Sequence, residues 1–146
     1  MTKWLIANTT YVAGGKIEYR IMERPLLHVC CANDHFADMN IDIRPEVNPD
    51  RVCDITKKLP FEDNSYAAAF GDFPWVKSWK WNAATAIKEM LRVAPIAYTI
   101  SPWIYGSAAS YPEQIYVSWR PGINHPILFV KYIRRHQHIP SGLEGK

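Results

Sequence analysis

Cysteine is scarce in this chain, with only Cys30, Cys31 and Cys53 among 146 residues. An odd count with two members adjacent does not make the disulfide framework of a small secreted domain, so reduced thiols are expected. Long apolar runs are also missing. Nothing approaches the roughly 18 to 20 apolar residues that span a bilayer, and the opening MTKWLIANTT lacks the long apolar stretch of a signal peptide. A cytoplasmic location without a membrane partner is the expectation. Neither sign of charge dominates: 17 Lys and Arg stand against 14 Asp and Glu, leaving a net charge of +3. Such a balance tolerates a nucleic-acid partner without requiring one. Internal repeats and low-complexity tracts are absent, and residues 30–38, CCANDHFAD, contain no glycine.

What is present is the composition of a globular domain, 48% hydrophobic and 21% charged, in a length that suits one core. A single domain over residues 1–146 is expected, with an N-terminal flap (1–24), a core (25–135) and a tail (136–146). From Pro25 onward short apolar runs alternate with polar turns. LLHVCC (26–31), MNIDI (39–43), RVCDI (51–55) and SYAAAF (65–70) read as buried strands. Between Lys77 and Val93 the period lengthens, placing Trp81, Ala84, Ile87 or Lys88, and Leu91 on one helical face until Pro95 stops it. IAYTISPWI (96–104) reads as another strand, and EQIYVSW (113–119) with PILFVKYI (126–133) as a hairpin about a Pro-Gly-Ile-Asn turn. This order indicates an α/β fold. Only residues 32–38 and 44–50 link the first three strands, too few for the helical crossover that parallel pairing normally uses. Either the strands are short, or some pairing is not parallel.

Asp42, Asp54 and Asp72 each end or follow one of three successive strands. That edge of an open α/β sheet is where ligands bind, and carboxylates there can accept ribose hydroxyls and an adenine amino group. Aspartate also caps ordinary turns after strands, so the register of all three carries the argument.

LLHVCC, IDIRP, CDITKKLPFEDNSYAAAF and GDFPW together resemble the succession of class I, Rossmann-like methyltransferases that use S-adenosylmethionine. The LPFEDNSY turn is the most specific part, and SWRPGINHPILFVKYIRR is similar to the closing hairpin of that family. The resemblance implies a mostly parallel sheet with an antiparallel C-terminal hairpin and reduced helices. It implies S-adenosylmethionine as cofactor, with Asp42 at its ribose, Asp54 at its adenine, Leu59 or Phe61 against the ring, and Ile43 among the residues that bind it. Cys30, Cys31 and Ala32 would lie beside the methionine part. The family usually has an acidic residue on the first strand and a Gly-x-Gly loop after it, whereas this chain has His28 and CCANDHFAD.

Asp72, Phe73, Pro74 and Trp75 resemble the Asp-Pro-Pro-Trp signature of methyltransferases that act on exocyclic amino groups, with Phe73 in place of the first proline. An amino lone pair delocalised into a base ring becomes nucleophilic when acceptors take its two hydrogens, which gives Asp72 and the segment at Pro74 a catalytic role. Trp75 would stack on the base. The competing reading has Asp72 capping a turn while Phe73 and Trp75 fill core. His28, Cys30, Cys31 and His35 lack the spacing of a common zinc site, and no metal is expected. Lys131, Arg134, Arg135, His136 and His138, with Lys16, Arg20 and Arg24, could touch phosphates, though solvated charge accounts for them more simply. Trp75, Trp79, Trp81 and Trp103 could form a stacking wall. The acceptor expected is an amino nitrogen of nucleic acid. The alternatives are a small molecule or protein as acceptor, or a non-catalytic binding subunit, with a partner subunit or a homo-oligomer in either case.

Overall fold

The runs of Val, Ile, Leu and Ala that suggested buried strands do pair into one sheet. A computed structural model describes residues 21–118, 122 and 124–135. The strands are β1 (Leu26–Val29), β2 (Met39–Asp42), β3 (Arg51–Val52), β4 (Ala68–Gly71), β5 (Ile96–Ser101), β6 (Ser110–Ser118) and β7 (Ile127–Arg134). Their spatial order is β3-β2-β1-β4-β5-β7-β6. The first five run parallel, and β7 lies antiparallel between β5 and β6. This is the Rossmann-like sheet expected, mostly parallel with an antiparallel C-terminal hairpin.

The short connections are resolved by short strands, since β1, β2 and β3 hold four, four and two residues and still pair in parallel. Local polar bonds replace the missing helices. Leu26 N–H donates to Asp38 Oδ2 at 2.7 Å, His28 Nδ1 to the Asp34 carbonyl at 2.9 Å, and Ala37 N–H to Asn40 Oδ1 at 3.0 Å. In the second connection one 3-10 turn (Pro45–Val47) suffices, and Asp50 Oδ2 accepts from both the backbone and the side chain of Asn40. Buried backbone groups must be paired, and these loops satisfy them without secondary structure.

Helix α1 (Lys80–Val93) follows a 3-10 turn (Lys77–Trp79) and ends where Ala94 turns extended before Pro95. Its buried face is Ala83, Ala86, Ile87, Met90 and Leu91, a regular i, i+3, i+4, i+7 stripe. Part of the expected face is therefore corrected. Ile87 and Leu91 are buried, whereas Lys88 is exposed and Trp81 keeps 84% of its surface in solvent. The small residues Ala83 and Ala86 are fully buried on the sheet side, and the bulky indole sits on the outside.

The stripe packs on one side of the sheet, against Leu27, Val29, Ile41, Ala69, Ala97 and Val130. Leu26, Phe70, Tyr98, Ile100, Ile127 and Phe129 form a second core on the other side. At the outer edge, the register of β6 against β7 shifts between Pro112 and Gln114. No helix among the described residues is long and apolar enough to cross a membrane. The flap up to Arg20, the tail from His136 and most of the hairpin turn lie outside the described residues.

Candidate functional site

Reversal of strand order between β1 and β4 leaves a crevice at the carboxyl ends of the strands. A cavity of about 780 Å³ occupies it. Asp42 closes β2, Asp54 follows β3 and Asp72 follows β4, and all three stand on the cavity wall. Cys30, Ala32, Ile43, Pro74 and Trp75 join them there. Cys31, Leu59 and Phe61 do not. Cys31 is turned into the protein interior at 1% exposure. The backbone N–H of Leu59 donates to Glu89 Oε2 at 2.6 Å and its carbonyl accepts from Arg92 Nη2 at 3.1 Å, which ties the residue to α1. Phe61 packs edge-on against Tyr66, beneath the guanidinium of Arg51.

Asp42 is the most constrained carboxylate. Oδ1 accepts from the backbone and Nε of Arg44 at 2.9 and 3.0 Å, and Oδ2 from Ala32 N–H and Arg44 Nη2 at 2.9 and 3.1 Å. Burial pushes its pKa upward, yet the Arg44 and Ala32 donors outweigh that and hold it down at about 2. Sequence pattern alone does not single out Arg44. The clue was its place two residues after Asp42 in IDIRP, a spacing that lets a reversing chain fold a guanidinium back onto a carboxylate. The arginine side chain is 52% exposed, so it can leave the carboxylate without crossing protein.

Asp54 forms a local turn in which Oδ1 accepts from Thr56 N–H at 2.9 Å and Thr56 Oγ1 at 2.6 Å. These bonds depress its pKa. The β1–β2 loop, though free of glycine, takes the backbone shape that glycine favours. Cys30 and Ala32 have φ of 55° and 48°, the left-handed region that costs an ordinary residue about 1–2 kcal/mol. Burial, then the negative charges of Asp42 and Asp72, push the Cys30 thiol up to about 12. It stays protonated and is no nucleophile.

Asp72 is exposed at the cavity mouth, whereas Phe73 is core: it is 1% exposed and stacks on Trp79 at 4.9 Å. Gly71 makes this packing work. A Cβ there would stand 2.6 Å from Phe73 Cε1 and 3.1 Å from Val29 Cγ2. Trp75 lines the cavity while its Nε1–H donates to the Ile100 carbonyl at 3.1 Å, so the indole is held rather than mobile. Trp79 also lines the cavity, Trp81 does not, and Trp103 packs against Tyr105 and under the ammonium of Lys80.

His28, at the expected acidic position of β1, is 1% exposed and packs between Phe36 and Phe70, away from the cavity wall. Among the described residues no group of three His, Cys, Asp or Glu is placed to hold a metal. The basic residues near the C-terminus hold the fold: Lys131 pairs with Glu113 at 3.2 Å, and Arg134 donates to the Leu91 carbonyl. Arg24 pairs with Asp38 at 3.2 Å. Lys16, Arg20, His136 and His138 lie outside the described residues.

No family model matches the sequence, and no curated protein does. The fold is similar to that of the PH0226 protein from Pyrococcus horikoshii, with a TM-score of 0.56 at 14% identity over 82% of this chain and 86% of that one. A weaker likeness joins it to a SAM-dependent methyltransferase from Aquifex aeolicus, with a TM-score of 0.47 at 13% identity over 74% and 80% of the two chains. What the Pyrococcus horikoshii protein shares with this chain is the fold.

Proposed function

We propose that this chain is an S-adenosylmethionine-dependent methyltransferase acting on an amino nitrogen of a nucleic acid. The observation that carries the reading is the convergence of Asp42, Asp54 and Asp72, from the ends of three successive parallel strands, on one cavity. Its volume of about 780 Å³ is that of a cleft for a cofactor-sized molecule. Asp42 would hold the ribose hydroxyls once Arg44 swings into solvent, Asp54 and the exposed Ile43 would meet the adenine, and Cys30 and Ala32 would border the methionine part. When bound, the cofactor supplies an electrophilic methyl group on a sulfonium. The chain's own residues orient the acceptor. Asp72 accepts a hydrogen of the amino group and draws its lone pair out of the ring, while Trp75, anchored on Ile100, offers a fixed face for the base. Alignment of this kind is worth on the order of several kcal/mol.

Calorimetry of the purified chain with S-adenosylhomocysteine tests the cofactor half. We expect binding that weakens at least tenfold in Asp42→Ala, since the two hydroxyl donors of the ribose diol then lose their acceptor. Transfer of labelled methyl to nucleic acid tests the other half and should be lost in Asp72→Ala. Full activity in that variant would sink the amino-group mechanism, and label on protein or metabolites alone would move the acceptor to another class.

One observation favours a second reading, a methyltransferase-like subunit that binds a partner without catalysis. Asp42 already accepts four hydrogen bonds within the chain, two of them from the Arg44 side chain. On that reading neither S-adenosylmethionine nor S-adenosylhomocysteine binds, in the native chain or in Arg44→Ala.

A further inference from the structure

The outer face of α1 carries features that neither the core nor the cavity uses. Trp81 is 84% exposed on the first turn of the helix, a large apolar ring that contributes nothing to packing. It stands between two concavities along the helix. The cavity behind it takes Trp79 and Asn82 into its wall. Ahead of it, a groove of about 390 Å³ runs between Ala84, Thr85 and Lys88 on the helix and Ser107, Ala108 and Ala109 on the facing loop. Trp81, Thr85 and Lys88 follow the i, i+4, i+7 spacing of one helical face. The ring and the far lysine are thus about 10 Å apart along the axis.

Charge on this face has one sign. Lys77, Lys80 and Lys88 are exposed, and no acidic side chain among the described residues forms a salt bridge with them. Glu89, the one carboxylate of α1, is turned away and held by Arg92 at 2.7 Å. Beyond the groove Arg135, also exposed, donates to the carbonyls of Ala108 and Ser107 and brings a further positive charge to its far wall. Lys80 already lies over the Trp103 ring, which leaves Lys77 and Lys88 without an ion pair among the described residues, and an exposed indole near them fits a ligand with π-faces and repeated anions, which is what a single-stranded nucleic acid presents.

We propose that this face, from the cavity mouth past Trp81 into the groove at Lys88, is a track for single-stranded nucleic acid, with a base stacked on Trp81 and phosphates beside Lys77 and Lys88. The inference rests on the reading of the cavity as a methyl-transfer site in one respect, that the strand leads toward it. A single strand presents a base to the cavity without the unpairing that a duplex requires.

The test is fluorescence anisotropy of the full chain with labelled mixed-sequence DNA and RNA single strands and with a duplex, run beside calorimetry with S-adenosylhomocysteine. Single strands should bind more tightly than the duplex. Trp81→Ala should lose roughly 5- to 150-fold in affinity, Trp81→Phe should keep most of it, and Lys77→Ala with Lys88→Ala should lower the slope of log affinity against log salt by about 1.4. Cofactor affinity should be unchanged in all of them. An affinity within twofold of the native chain in Trp81→Ala, or no binding of any single strand, overturns the proposal even if the cofactor binds. Strand binding that depends on Trp81 sustains it even if the cofactor does not bind, in which case the methyltransferase reading fails alone. A concentration-dependent dimer in sedimentation that Trp81→Ala dissociates would also overturn it, because a second copy of the chain would then cover the indole.

Discussion

Cys30 and Ala32 show how a backbone can outlast the residue type that usually permits it. Both hold left-handed φ values without glycine's freedom, and the fold retains them because Ala32 N–H must reach Asp42 Oδ2 and Cys31 N–H the Ile41 carbonyl. At position 32 stability should therefore rank Gly at or above Ala, and Ala above Val. Ala32→Gly gains about 1 kcal/mol of relieved strain against a similar entropy cost in the unfolded chain, while Ala32→Val should lose about 1 kcal/mol or more. Urea denaturation decides it, and a valine chain as stable as the native one would show the loop to be unstrained. At this scale the sequence was partly legible. Asp42, Asp54 and Asp72 were visible from their places after apolar runs. Arg44 was not, because its bidentate grip on Asp42 exists only after the chain reverses beyond β2. Cys31, Leu59 and Phe61 were misplaced for a related reason. Nearness in sequence to the site said nothing of which way each side chain turns, and Leu59 is drawn off by Glu89 and Arg92 from 30 and more residues away.

Among the elements, β4 and the segment leaving it show how tightly packing sets the position of Asp72. Gly71 closes β4 against the ring of Phe73, and the ring in turn stacks on Trp79. In Gly71→Ala the new methyl cannot be accommodated without moving a ring that is 1% exposed. We expect a loss of roughly 1–3 kcal/mol in denaturant unfolding and, under the proposed function, weaker methyl transfer because Asp72 shifts along with Phe73. An unchanged midpoint would mean that the ring moves freely. The central strands and α1 were legible from periodicity, since parallel strands buried on both faces read as unbroken apolar runs, whereas RVCDI, expected as a buried strand, yields only the exposed two-residue β3 at the sheet edge. Strand ends were less legible. β1 stops at Val29, two residues short of the apolar run, because Cys30 turns left-handed. Ala83 and Ala86, buried against the sheet, carry a weaker apolar signal than tryptophan, which is why sequence periodicity misaligns the face of α1.

For the molecule as a whole, two buried groups contribute to the response to acid. Burial lowers the pKa of His28 from 6.5 to about 4 despite its bond to the Asp34 carbonyl. The unfolded chain then binds a proton that the folded chain refuses, so stability falls as pH drops from about 6.5 to about 4, by about 3 kcal/mol. Asp42, lowered from 3.8 to about 2, adds a second loss between those values as its carboxylate is protonated and the Arg44 and Ala32 bonds are given up. Unfolding free energies measured from pH 7 to pH 4.5 should show the first slope, and His28→Phe should flatten it. A slope that persists in that variant would assign it to other groups.

The outer boundaries of the sheet bear on what happens when the chain is crowded. A long edge strand with open hydrogen-bonding groups invites a second chain to add to it, the first step toward a fibril. Among the described residues one edge, β3, is two residues long, too short to template a neighbour. The other, β6, is nine residues long, but exposed Pro112 offers no N–H, exposed Glu113 sets a charge beside it, and the register slips between Pro112 and Gln114. A sheet with so many apolar strands is thereby guarded at both sides against polymerisation, and a straightened β6, such as Pro112→Val would produce, is where aggregation of this chain would begin.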